Sequence, residues 1–139
     1  MATNNRQSDN QSFRDLTVYK KAFALAMEIF ELSKSFPKEE RYSLTDQIRR
    51  SSLGVCSCIA EAYRKRNYQA YFVSKSSDAD MENSETQSWL DFSHACQYLD
   101  ESKYKDLLAQ SEEVGRMLNH MVENPEKYVR QEKKLETVN

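Results

Sequence analysis

The chain has 139 residues and a formal net charge of −2, a length that suits one domain able to bury about two-thirds of its unfolded surface. Only two Gly and two Pro occur, too few turn residues for the closely spaced hairpins of a sandwich or barrel. No apolar run approaches the length of a membrane span. The slightly acidic balance argues against binding nucleic acid over the whole surface but leaves room for a local basic patch.

Met1 to Ser12 is polar and lacks the apolar core of a signal peptide, so a disordered leader and a cytoplasmic location are expected. Three cysteines without an export signal read as reduced thiols. Ordered structure is expected from Phe13, with Asp15 placed to cap a first helix over Leu16 to Ser35. Its apolar set, Leu16, Tyr19, Ala22, Phe23, Ala26, Met27, Ile29 and Phe30, is wider than one helix–helix seam requires. Pro37 ends it, because the residue before a proline is pushed out of helical conformation.

A charged connection, Lys38 to Tyr42, leads to a second helix over Ser43 to Arg66, capped by Ser43 or Thr45. Leu44, Ile48, Val55, Ile59 and Tyr63 recur at helical spacing. Between them lie Ser51, Ser52, Gly54, Cys56, Ser57 and Cys58, a waist of small residues that lets a neighbouring helix come close. Arg64, Lys65 and Arg66 end the helix, where its dipole favours cations.

Asn67 is the expected cap of a third helix, Tyr68 to about Leu99. Its centre is polar but contains no Gly or Pro, and Ser74, Ser77, Met81, Ser84 and Ser88 form a stripe of mostly small residues. Folding the second and third helices back about Asn67 puts Gly54 near Asp80 and predicts that Arg49 contacts Glu82 or Glu85. A fourth helix follows from Lys103 to Glu123, capped by Asp100 or Ser102 and stopped by Asn124-Pro125. A charged tail is expected over 125–139, with Tyr128 and Val129 able to dock. The sum is an all-α antiparallel up-down-up-down four-helix bundle over residues 13–124.

The chain carries no Gly-rich phosphate loop, no zinc-spaced cysteine pair and no HExxH. A di-iron bundle needs Glu-x-x-His motifs on two helices, and neither His94 nor His120 has a Glu three residues before it. No catalytic residue, metal or cofactor is therefore expected, and the protein reads as a non-enzyme.

Five stretches carry a family resemblance: FRDLTVYKKA (13–22), FPKEERYSLTDQIRRSS (36–52), IAEAYRK (59–65), SETQSWLDFSHACQYL (84–99) and NPEKY (124–128). Together they resemble a bacterial four-helix-bundle family. It includes proteins encoded in intervening sequences of large-subunit ribosomal RNA genes and the accessory variability determinant of diversity-generating retroelements. The chain departs from the family's usual Asn-Ile-Ala-Glu-Gly at Cys58-Ile59-Ala60-Glu61-Ala62, and from its frequent Pro at Cys56. The resemblance implies a ring-shaped homo-oligomer, commonly a pentamer. For the retroelement member it implies a basic surface binding nucleic acid and a partner reverse transcriptase.

Two functions follow as expectations. The first is a non-catalytic oligomeric scaffold that binds RNA, DNA or a nucleic-acid enzyme. Its candidate contacts are Arg64, Lys65 and Arg66, with Lys20, Lys21, Arg49 and Arg50 secondary. Tyr63 and Tyr68 beside them suit stacking on bases. The second is a protein-interaction module with no nucleic-acid role and no membrane contact, for which Arg64 to Arg66 are only a helix-end charge cluster.

Overall fold

The computed structural model describes residues 12–130. The expected leader lies outside these residues apart from Ser12, as does the tail beyond Arg130. Four helices make up the bundle: α1 (Thr17–Ser33), α2 (Asp46–Arg64), α3 (Gln69–Ala95) and α4 (Glu101–Glu123). Each packs on the helix that follows it, and α1 closes the ring against α4. Short connections force neighbours to run antiparallel. None of the described helices is long and apolar enough to cross a membrane.

The helix ends follow local chemistry that the sequence only partly announces. Ser12 and Asp15 form a reciprocal capping box around a single 3-10 turn, Phe13–Asp15, so Asp15 does not cap α1 as expected. The N-cap of α1 is Leu16, which has no side-chain cap. Before α2 the chain winds through a wide π turn, Arg41–Thr45, and neither expected residue supplies a cap. Ser43 instead donates to Glu40 at 2.7 Å. Tyr68, not Asn67, occupies the N-cap of α3. Asp100 caps α4, its Oδ1 accepting from the Lys103 N–H at 2.7 Å.

The third helix stops four residues short of Leu99, and it does so without glycine. Gln97 takes a φ of 67°, and the Tyr98 N–H turns back to the Ser93 carbonyl at 2.8 Å. This is the left-handed C-terminal turn usually given to Gly. It lets Leu99 reach the core.

Two apolar clusters fill the interior. One, toward the start of α1, holds Val18, Ala22, Val55, Ile59, Phe72, Val114, Leu118 and Met121. The other holds Leu25, Ile29, Phe36, Leu44, Ile48, Leu90, Leu99 and Leu107. A fully buried aliphatic side chain of this kind contributes about 1.5–3 kcal/mol. Between the clusters runs a belt of buried polar residues: Ser51, Ser52, Asn83, Thr86 and Ser111. Asn83 Nδ2 donates to the Ser111 carbonyl at 2.9 Å, and Ser111 Oγ donates to Asn83 Oδ1 at 2.9 Å. Gln87 Nε2 adds a bond to Ser111 Oγ at 3.0 Å. On the other side Ser51 and Thr86 share a bond of 2.8 Å. Either hydroxyl can be the donor, since Ser51 Oγ also faces the Ile48 carbonyl at 3.3 Å and Thr86 Oγ1 the Glu82 carbonyl at 2.9 Å.

The belt corrects the expected seam of α3. Its buried face is Phe72, Ser76, Ala79, Asn83, Thr86, Leu90 and Ser93. Ser74, Ser77, Met81, Ser84 and Ser88 face solvent, with Met81 61% exposed. The pairs Ser51–Thr86, Gly54–Glu82 and Glu61–Lys75 also set α3 two to three residues further along than a fold about Asn67 would. A Cβ at Gly54 would lie 2.8 Å from Glu82 Cδ and Oε1. What fills the space over this glycine is therefore a side chain rather than a neighbouring helix backbone.

The predicted contact of Arg49 with Glu82 or Glu85 is likewise overturned. Arg49 lies on the flank of α2 that faces α1. Its Nε donates to Ser33 Oγ at 2.7 Å and a terminal nitrogen to the Phe30 carbonyl at 3.3 Å. The guanidinium stands 4.6 Å from the Phe30 ring centre. A cation at the C-terminal end of α1 meets the negative end of its dipole. Charge between α2 and α3 is matched in the opposite sense, by Lys75 of α3 with Glu61 of α2 at 3.0 Å. Outside, Gln110 and Lys103 of α4 bind Glu28 of α1 at 3.0 and 2.9 Å and hold its carboxyl below the usual carboxylate range, Gln110 most strongly.

Two predictions follow from this packing. Asn83→Ala orphans the buried partners on Ser111 and is expected to lower stability by about 2 kcal/mol, read from the midpoint of urea unfolding. Glu82 is raised above the usual carboxylate range, chiefly by burial and then by Glu85 and Asp78. Its charged form therefore weakens the fold at pH 7, and the penalty vanishes once falling pH protonates it. Glu82→Gln is expected to raise the melting temperature at pH 7, with the gain shrinking at pH 4. An equal gain at both values would assign the effect to shape rather than charge.

Candidate nucleic-acid interface

Because the helices alternate in direction, the start of α1, the end of α2, the start of α3 and the end of α4 share one pole of the bundle. The basic run lies here. Arg64 closes α2 and is exposed, and Lys65 follows it into the turn, also exposed. Lys65 Nζ stands 5.0 Å from the Tyr71 ring centre, a contact worth about 0.5–1 kcal/mol at an exposed site. Arg66 is held differently. Its Nε donates to the Tyr63 carbonyl at 2.9 Å, and its guanidinium lies 3.6 Å from the Tyr63 ring centre.

Tyr63 is not the stacking surface that its place in the sequence suggests. It sits four residues after Ile59 on the core face of α2, is 8% exposed, and has Arg66 against its ring. The exposed aromatic pair is Tyr68 and Tyr71, each 58% exposed. Their rings meet edge-to-face with centroids 6.0 Å apart. Tyr71 was legible in principle, since it lies three residues beyond Tyr68 and therefore on the same side of α3.

The pole also gathers cations from the chain's far end. Pro125–Lys127 forms a 3-10 turn, and the Arg130 N–H donates to the Arg66 carbonyl at 3.0 Å. Tyr128 and Val129 pack against the first apolar cluster. Tyr128 stacks on Phe72 at 5.9 Å, its hydroxyl bonds His120 Nδ1, and burial pushes its hydroxyl up. This docking brings Lys127 and Arg130 beside Arg66. The nearest acidic residue on α2, Glu61, is turned to Lys75.

Of the secondary candidates, Lys20 in the first residues of α1 lies at this pole, and the others do not join the surface. Lys20 is exposed on α1, while Lys21 reaches Glu113 of α4 at 3.1 Å. Arg49 is committed to α1 as described. Arg50 is exposed, but fourteen residues before Arg64 on the same helix, a separation of about 21 Å.

Other reactive groups have ordinary settings. His94 stacks on Tyr104 at 4.2 Å and its Nε2 meets Glu101 at 2.9 Å. Burial pushes the Cys56 thiol up to about 11, which makes it a poor nucleophile. Among the described residues no three His, Cys, Asp or Glu side chains converge as metal ligands.

Comparison with known proteins agrees with this fold. A crystal structure at 1.70 Å of a protein of unknown function from the S23 ribosomal protein family of Bacteroides thetaiotaomicron superposes with a TM-score of 0.70. It is 26% identical, with 76% of this chain and 95% of that chain covered. No curated protein sequence matches. The family profile described as 23S rRNA-intervening sequence protein matches residues 14–120, nearly the whole bundle. The chain thus belongs to the 23S rRNA-intervening sequence protein family.

Proposed function

We propose that the protein is a non-catalytic, self-assembling helical scaffold that grips single-stranded nucleic acid at the basic pole of its bundle. The observation that carries this reading is the convergence there of Arg64, Lys65, Arg66, Lys127 and Arg130 with the exposed rings of Tyr68 and Tyr71. Cations neutralise phosphates, and an exposed ring accepts a base without regard to its identity. The family's link to ribosomal RNA genes favours RNA over DNA. A helix-end dipole accounts for Arg64, Lys65 and Arg66; it does not account for cations arriving from the C-terminal turn.

Contact with five phosphates on a single strand implies an affinity that falls about a hundredfold between 50 and 200 mM salt. Fluorescence anisotropy with a labelled single-stranded RNA measures this slope. Arg64→Glu with Lys65→Glu is expected to abolish binding, and Tyr71→Ala to weaken it without changing the slope. Binding that ignores salt, or none at 50 mM, would remove the reading.

Assembly is the second part of the proposal. Phe23, Met27 and Phe30 recur along the outer flank of α1 at 50%, 41% and 39% exposure. An apolar stripe of that kind on a surface helix marks a partner, and the family resemblance points to further copies in a ring of five. Light scattering is expected to give several times 16.3 kDa, reduced to one copy by Phe23→Glu with Met27→Glu. If those changes leave the mass untouched but abolish recovery of a nuclease-resistant protein partner, the alternative holds: a protein-interaction module, a nucleic-acid enzyme such as a reverse transcriptase among its partners.

A further inference from the structure

The same pole contains an opening whose apolar interior the scaffold reading does not use. Leu16, Val18, Phe72, Met117 and Met121, with the ring of Tyr63, enclose a cavity of about 320 Å³. That volume lies at the lower end of the range for small-molecule sites, about 300–1,000 Å³. Its floor is sealed and apolar: Val18, Phe72, Met121 and Tyr63 are 5%, 2%, 4% and 8% exposed. Its rim is cationic, formed by half-buried Arg66 and exposed Lys127.

The two parts are held in place by different means. Arg66 is fixed by its bond to the Tyr63 carbonyl and by the Arg130 N–H on its own carbonyl. Tyr128 walls the cavity, fastened by its stack on Phe72 and its bond to His120. Met117 and Met121 are unbranched and adapt to an occupant's shape. The start of α1 adds to the positive character of the opening, since its first turn has no acidic residue and no side-chain cap. Apolar walls of this kind favour an apolar body over water. A cationic rim then selects an occupant with a negative head.

We propose that this cavity binds a small amphipathic anion, a medium-chain carboxylate, with its apolar tail against Val18, Phe72, Met117 and Met121 and its carboxylate at Arg66 and Lys127. Its rim shares Arg66 and Lys127 with the proposed nucleic-acid surface, whereas Arg64 and Lys65 lie outside its lining.

The test is a titration of the full chain, labelled at its methionine methyl groups, with octanoate followed by NMR and repeated with 1-octanol. Octanoate is expected to shift the Met117 and Met121 methyls saturably, at least tenfold more tightly than the alcohol. Lys127→Glu should weaken octanoate at least tenfold and leave the alcohol unchanged. Arg64→Glu with Lys65→Glu should leave octanoate binding intact even where it abolishes RNA binding, so the two readings fail separately. No saturable shift by 5 mM octanoate overturns the proposal. So does an equal response from the exposed methyl of Met81, which signals generic adsorption, or equal binding of acid and alcohol.

Discussion

The arrangement of the bundle depends on one buried polar contact, the reciprocal pair between Asn83 and Ser111. An amide this deep (2% exposed) is tolerated only when its donor and acceptor are both met. Sliding α3 against α4 by a single residue would break both bonds and expose the amide to apolar surroundings. Apolar clusters above and below the belt would accept many offsets, since Leu and Ile pack against one another without directional demands. The belt is what makes the alignment unique. Ser51 and Thr86 repeat the device between α2 and α3, and Glu28 with Lys103 and Gln110 fastens α1 to α4 from outside. The exposed links contribute at most about 1 kcal/mol each, so the interior bonds set the geometry.

That alignment decides what the basic pole looks like. With α3 fixed in register, Tyr68 and Tyr71 stand clear of the core beside Lys65, and Phe72 turns inward to receive Tyr128. Docking of Tyr128 then delivers Lys127 and Arg130 to Arg66. The nucleic-acid reading and the anion cavity both draw on this one chain of contacts. They share Arg66 and Lys127 and differ elsewhere: the exposed rings with Arg64, Lys65 and Arg130 for the first, the methionine-lined interior for the second.

Several titratable groups have structural roles. Tyr98, held by Glu40 at 2.6 Å and pushed up to about 12, closes the pole opposite the basic one. His94, His120 and Cys56 each have a neighbour that explains their position. The distinguishing chemistry of the surface is instead its charge and its exposed apolar rings.

The sequence by itself determined four helices, their order, their direction and the position of the basic run. Scarcity of Gly and Pro and the recurrence of Leu44, Ile48, Val55 and Ile59 suffice for that, because helix periodicity is a local property. It failed where burial and polarity part company. On α3 the buried face is mostly Ser, Ala, Asn and Thr, while Met81 and Phe92 face outward, so residue size at helical spacing marked the wrong stripe. Arg49 was assigned to acidic residues on α3, yet lies against Phe30 and Ser33 of α1, because charge complementarity names suitable partners without saying which flank of a helix faces them. Tyr63, expected to stack on bases, is buried, while Tyr71, to which the sequence assigned no role, is exposed beside Tyr68. Whether a polar side chain can be buried, or an aromatic one left out, depends on what another helix presents at that height, and only the tertiary structure sets the height.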